Sequence, residues 1–259
     1  MASPSRPVFV LVPGASQTPA AYGYLLHLLQ CKGYGSFSAL LPSVGATEQV
    51  SAADDAEYVR SRMLLPVLDI EQHNVIIISH SYSGIPASAA ALGLGKADRA
   101  AEGKKTSVLG QIFIAAVVAK GGNGLDLVAN FGGQMPPHIR VDEPANLLRC
   151  DDPKPPLFGD VPSELADAAV QSCISQCKTS FTSPCPAASW DSEAYKGRIA
   201  YVKTVNDQAV PYAAQTMMLQ ASGQEWITRD IETAHSPQLV VPEKLADILV
   251  EIAQQFEAL

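Results

Sequence analysis

The stretch 74–86, NVIIISHSYSGIP, decides how this chain is read. Four β-branched apolar residues run into serines at 79, 81 and 83, with a glycine at 84. A strand that hands over to a helix through a sharp turn needs small residues on both sides of the turn's central position, because the neighbours two places away approach one another. That is the geometry of the G-x-S-x-G elbow. Ser79 has Ile77 two places before it and Ser83 has Ile85 two places after it, and both are too bulky. Only Ser81 is flanked by small residues, Ser79 and Ser83, which read as spacers standing where glycines usually stand. With the helix-like IPASAAALGLG after it, the segment predicts strand, turn and helix, with Ser81 at the turn.

The rest of the chain has the size and balance for such a unit. Its 259 residues, 47% hydrophobic and 17% charged, suit one α/β domain with a sizeable core. No run approaches the roughly 18 uninterrupted apolar residues of a membrane span. The net charge of −8, with no cluster of Lys or Arg, argues against a nucleic-acid footprint. The opening MASPSRPVFVLVPGAS carries one Arg and an apolar run too short for a secretory signal, so a cytoplasmic protein is expected. The five cysteines, Cys31, Cys150, Cys173, Cys177 and Cys185, contain no Cys-x-x-Cys pair and predict neither a zinc site nor a complete disulfide framework. Cys173 and Cys177 read as one helical turn apart, clustered with Cys185.

Apolar runs at 7–12, 37–42, 74–79, 108–118, 198–205 and 225–231 predict strands, most of them too continuously apolar for a sheet with one wet face. Helix-like stretches lie between them at 19–31, 51–68, 84–95, 211–221 and 242–256. Start signals include Pro19, Ser51 ahead of Asp54 and Asp55, Pro211 and Pro242. The alternation predicts a mostly parallel, doubly wound sheet with right-handed crossovers. One segment, 120–196, breaks it: GGNG, MPPHIR and DDPKPPLFGDVP lead into the helical SELADAAVQSCISQCK. It is too long for a connection and predicts a helical cap inserted in a single domain with core 1–119 and 197–259.

A serine hydroxyl needs a base to take its proton and a carboxylate to orient that base. In this architecture the partners follow in the order Ser, acid, His, each after a strand. Of the five histidines, His27 lies in a predicted helix, His73 precedes a strand, His80 adjoins Ser81 but points elsewhere on a tight turn, and His138 belongs to the cap. His235, in ETAHSPQLVVP, follows the last strand and precedes the last helix. Asp207, in VNDQAVP, stands just past the strand before it, whereas Asp230 falls within a strand-like run and Asp126 within the cap. Two backbone N–H groups should hold the oxyanion, one from Tyr82 after the serine and one from Ala15 in the loop VPGASQTP. The lone Gly14 turn has no G-x-G-x-x-G continuation, so no phosphate loop is predicted.

With FVLVPGAS, IIISHSYSG, VNDQAVP and AHSPQLVVPEKLADIL in view, the chain resembles the α/β-hydrolase superfamily. Within it, the resemblance is to the small serine esterases that include plant methyl esterases, hydroxynitrile lyases and their microbial relatives. It implies a triad of Ser81, Asp207 and His235, oxyanion donors at Ala15 and Tyr82, and no cofactor or metal. Three positions depart from the pattern. Pro13 stands where the first-strand motif usually has His, and Ser236 and Gly14 stand where the lyases typically carry a lysine and a threonine. That favours an esterase or lactonase acting on a small, mostly apolar molecule, with Gly14, Ser16 and Ser236 beside the substrate. A non-hydrolytic lyase or cyclase, or a hydrolase-like binding protein, stays open, as does pairing with a second copy of the chain.

Overall fold

The computed structural model describes residues 6–259. Nine strands form among them: β1 (Val8–Val12), β2 (Ser36–Ser38), β3 (Val75–His80), β4 (Val108–Ile114), β5 (Arg140–Asp142), β6 (Leu147–Arg149), β7 (Gln176–Cys177), β8 (Ile199–Thr204) and β9 (Ile227–Ile231). Six build the main sheet in the order β2-β1-β3-β4-β8-β9, and every pairing in it is parallel. Successive side chains of a strand point to opposite faces, so the continuous apolar runs supply both. Val10, Val12, Val75 and Ile77 face one core, while Phe9, Leu11, Ile76 and Ile78 face the other. The second core is closed by the helices Gly23–Cys31 and Pro242–Ala258, the latter through Leu245, Leu249, Ile252 and Phe256 at helical spacing.

Several elements depart from what the residue pattern predicts. The strand expected over 108–118 stops at Ile114 because Ala115 adopts φ 44°, outside extended backbone. The helix expected over 51–68 opens with a capping box between Ser51 and Asp54, then widens after Tyr58. There Pro66 can donate no N–H, and the Glu71 N–H bonds five residues back to the Pro66 carbonyl. A short helix at Lys96–Ala101 was not expected at all.

The insertion between β4 and β8 is only partly the helical cap that its composition suggests. It holds the helices Leu127–Asn130, Lys154–Phe158, Ser163–Gln171 and Thr179–Thr182, and also a three-stranded antiparallel sheet, β5-β6-β7. The helix expected to carry Cys173 and Cys177 together ends at Gln171, where the Ser172 hydroxyl turns back onto the Ala169 carbonyl. Cys177 lies in β7 instead, its thiol donating to the Glu48 carbonyl, and all five cysteines are free. No helix among the described residues is long and apolar enough to cross a membrane.

At the end of β3, Ser81 takes φ 56°, a left-handed conformation that a non-glycine residue adopts only at a cost of about 1 kcal/mol or more. The turn is held from both sides. The Ser83 hydroxyl donates to the Val12 carbonyl at 2.7 Å and accepts the His80 N–H at 2.9 Å, so Ser83 is a clamp between β1 and the turn rather than the spacer read from the sequence. Ser79, with one weak 3.5 Å contact to the Ile112 carbonyl, fits the spacer description. Gly84 begins the helix Gly84–Ala90 against β4's extension, where a Cβ would lie 2.1 Å from the Val117 carbonyl oxygen.

Beneath the turn lies the buried carboxylate of Asp55. It accepts hydrogen bonds from the Ser43 N–H at 3.0 Å, the Ser43 hydroxyl at 2.5 Å and the Tyr82 hydroxyl at 2.8 Å. Burial outweighs these donors and raises Asp55 to about 6. The folded protein then holds this proton more tightly than the unfolded chain does. The group's contribution to stability is therefore complete below about pH 4 and lost as pH rises through about 6.

Two measurements of urea unfolding follow. Gly84→Ala should lower stability by about 3 kcal/mol, because the obstacle is backbone and cannot swing aside; an unchanged midpoint would refute the close approach. Between about pH 4 and about pH 6 the Asp55 contribution should decline by on the order of 3 kcal/mol. Asp55→Asn should lack that component of the slope, and identical slopes in both proteins would exclude it.

Candidate active site

The loops after β1, β3, β8 and β9 all leave the carboxyl edge of the sheet, the position at which open α/β sheets bind ligands. There a cavity of about 930 Å³, including its mouth, is lined by Ala15, Ser16, Gln17, Ser81, Tyr82 and His235 on the core side. Val117, Val210, Pro211 and Ala214 extend that wall, and the cap closes over it with Leu127, Phe131, Ile139, Leu148, Leu157 and Phe181. The lining is predominantly apolar, with Ser16, Gln17, Ser81 and His235 as polar members on the core side and His138, Arg149 and Gln176 on the cap side.

Asp207 is fully engaged. Its Oδ1 accepts the N–H groups of Ala209 and Val210, both at 2.8 Å, and its Oδ2 accepts the Thr204 hydroxyl at 2.7 Å and His235 Nδ1 at 2.8 Å. Burial alone would raise this carboxyl, but the His235 charge and the donors around it together bring it below the usual carboxylate range. A carboxylate only accepts, so His235 Nδ1 carries a proton toward Asp207, and Nε2 is the nitrogen that can take up and release a proton at the cavity. His235 and Ser81 share the cavity wall.

The loop after β1 presents a similar economy. The Gly14 N–H bonds to the Tyr22 hydroxyl at 3.2 Å, the Ser16 N–H to Gln176 Oε1 at 3.1 Å and the Gln17 N–H to the Gly14 carbonyl at 3.3 Å. Among the described hydrogen bonds the Ala15 N–H donates none, and Ala15 lies on the cavity wall. The Tyr82 side chain is stacked on Phe181 with centroids 5.1 Å apart and anchored to Asp55.

Two expected substrate neighbours lie elsewhere. Ser236 is wholly buried, its hydroxyl unpartnered, and it is absent from the wall because the short helix Pro237–Val240 turns it inward. Gly14 sits behind Ser81, where a Cβ would be 3.1 Å from the Ser81 Cβ. Ser16 does line the cavity, at φ 62°, with its backbone tied to the cap through Gln176 and the Ile174 N–H.

Of the groups at the site that the sequence leaves unassigned, three lie near His235 or hold its loop. His138, placed only in the cap, reaches the cavity wall; burial and the nearby His235 charge both lower its pKa. Asp160, also in the cap, accepts the Ala234 N–H at 2.6 Å and so holds the loop carrying His235. His80 does point away from the cavity, but it reaches the backbone of His235, with Nε2 2.8 Å from that carbonyl oxygen. Only the MPPHIR setting of His138, inside a segment that had to cover a pocket, offered a signal; the other two depend on loops far apart in sequence. No group of three His, Cys, Asp or Glu side chains among the described residues could hold a metal ion.

Comparison with known proteins places this geometry. The alpha/beta hydrolase nvfD of Aspergillus novofumigatus is 26% identical over 248 residues, 92% of this chain and 93% of that protein. A pyrethroid hydrolase from Sphingobium faniae superposes with a TM-score of 0.75 at 21% identity, covering 96% of this chain and 97% of its own. The methylesterase MES16 from Arabidopsis does so with 0.70 at 18%, covering 95% and 99%. Since the family model itself matches residues 9–248, this chain belongs to the alpha/beta hydrolase family.

Proposed function

We propose that the protein is a serine hydrolase that cleaves a small, mostly apolar carboxylic ester or lactone. The observation that carries this reading is His235, bonded to Asp207 at 2.8 Å and lining the same largely apolar cavity as a serine in left-handed conformation. The names of similar proteins, a pyrethroid hydrolase and a methylesterase, support ester chemistry.

Ser81 Oγ attacks the carbonyl carbon while His235 Nε2 takes its proton. Asp207 keeps that nitrogen free and stabilises the imidazolium. The oxygen that becomes negative accepts the N–H groups of Ala15 and Tyr82, each such donor contributing roughly 3 to 4 kcal/mol to the transition state. Collapse expels the alcohol, which receives the proton from Nε2, and leaves Ser81 acylated. Water, deprotonated by the same nitrogen, then releases the acid. A lactone follows the same course, with the alcohol retained in the product.

Reaction of the purified protein with a fluorophosphonate probe, with the modified peptide mapped and p-nitrophenyl acetate and butyrate assayed in parallel, tests this assignment. Label should fall on Ser81, and Ser81→Ala should lose both label and turnover. His235→Ala should lower kcat by about 10⁶-fold and Asp207→Ala by about 10⁴-fold, because the acid acts only through the base. A folded protein that takes no label and releases no nitrophenol would overturn hydrolysis and leave the same cavity to binding or to a non-hydrolytic reaction.

A further inference from the structure

We propose that His80, held by Tyr22, is a positioning residue that ties the backbone of His235 to the loop carrying the oxyanion donor Ala15. This rests on the serine-hydrolase reading for its kinetic consequence.

The hydrogen-bond direction at the His235 end is settled by chemistry. A carbonyl oxygen only accepts, so His80 Nε2, 2.8 Å from the His235 carbonyl, carries a hydrogen. The ring is fully buried, and burial followed by the nearby His235 charge lowers it to about 3, so it is neutral and its Nδ1 is an acceptor. The Tyr22 hydroxyl lies 2.7 Å from Nδ1 and donates to Gln17 Oε1, which itself stands 3.3 Å from Nδ1. The Tyr22 oxygen also accepts the Gly14 N–H at 3.2 Å. A continuous buried chain of polar contacts results, from the Gly14 N–H through Tyr22 and His80 to the His235 carbonyl.

This chain joins three segments whose relative positions the chemistry needs: the loop after β1, the turn at Ser81 and the loop after β9. The other side of the His235 backbone is held as well, by Asp160 on the Ala234 N–H. Neutrality matters too. The His80 and His235 rings lie 4.8 Å apart, and a permanent cation at that distance would oppose the imidazolium that forms when His235 takes the serine proton. A purely carbon ring in its place would hold neither end.

The test compares His80→Phe, which keeps a planar ring but removes both nitrogens, with His80→Gln, whose amide nitrogen can reach the position of Nε2. Tyr22→Phe and the double variant with His80→Phe complete the set. With p-nitrophenyl butyrate, His80→Phe should lower kcat by about 10- to 100-fold with KM within about twofold, and His80→Gln should recover most of the loss. Tyr22→Phe should lower kcat by about tenfold, and the double variant should be no worse than His80→Phe alone, because both act along one path. A His80→Phe protein with kcat within about twofold of the original would overturn the proposal, as would His80→Gln being equally impaired. If His80→Phe fails to fold, His80→Gln and Tyr22→Phe decide it: Gln near full activity with Phe at 22 impaired supports the chain, and both unimpaired or both equally impaired overturns it. The downfield proton resonance of the His235–Asp207 hydrogen bond gives a readout without substrate. It should be preserved in His80→Gln and shifted or lost in His80→Phe; no change in either would reject the positioning role. Absence of turnover in the unsubstituted protein would instead count against the hydrolase reading, with this resonance still reporting on His80.

Discussion

The left-handed conformation of Ser81 is the constraint around which this molecule is arranged. A β-strand in the middle of a parallel sheet delivers the serine to the carboxyl edge, and the backbone must then reverse within a residue to start a helix. No attraction at Ser81 itself favours that conformation. It persists because neighbours over-determine it: Ser83 bonds across to β1, Gly84 allows the helix to press on the Val117 backbone, and the Val117 N–H bonds to the Ser81 carbonyl at 3.0 Å.

The same edge gathers the loops that carry Ala15, Asp207 and His235, and what holds them together is hydrogen bonding among buried polar groups rather than apolar contact. Asp207 has all its accepting capacity occupied, so the imidazole it orients has one available tautomer. Polar clusters of this kind stabilise little on balance, yet leave a costly unpaired group if any member moves. That asymmetry is well suited to a site: small displacements are penalised, although the net contribution to folding is modest.

The cap divides its roles. Its apolar side chains supply most of the covering wall, while Gln176 and Asp160 reach down to the loops after β1 and β9. Cap placement and site geometry are therefore linked through backbone N–H groups. The wall of the cavity is therefore shaped largely by the segment whose local structure the residue pattern describes least well.

Much of the frame was legible because periodicity and composition report directly on burial. Val75–Ile78 is apolar on both faces because the strand is covered on both faces, and Ser81 stood out because bulky neighbours excluded Ser79 and Ser83. Asp207 and His235 could be named from their places after strands. The cap's small sheet was not legible: β5, β6 and β7 are two or three residues long, too short to show alternation. Nor was the inward turn of Ser236, which depends on where the following short helix packs.

By itself, then, the amino-acid sequence determined the order of the main-sheet strands and most of the helices between them, the turn that carries Ser81 and the three side chains placed after strands at one edge, since each follows from local residue size, polarity and spacing. Only the tertiary structure decided which distant groups complete them. His80 meets the carbonyl of a residue 155 positions away, and Gln176 meets a backbone N–H 160 positions away. Such partners are chosen by the packing of whole layers, and no local pattern encodes a contact between groups that chain spacing leaves unrelated.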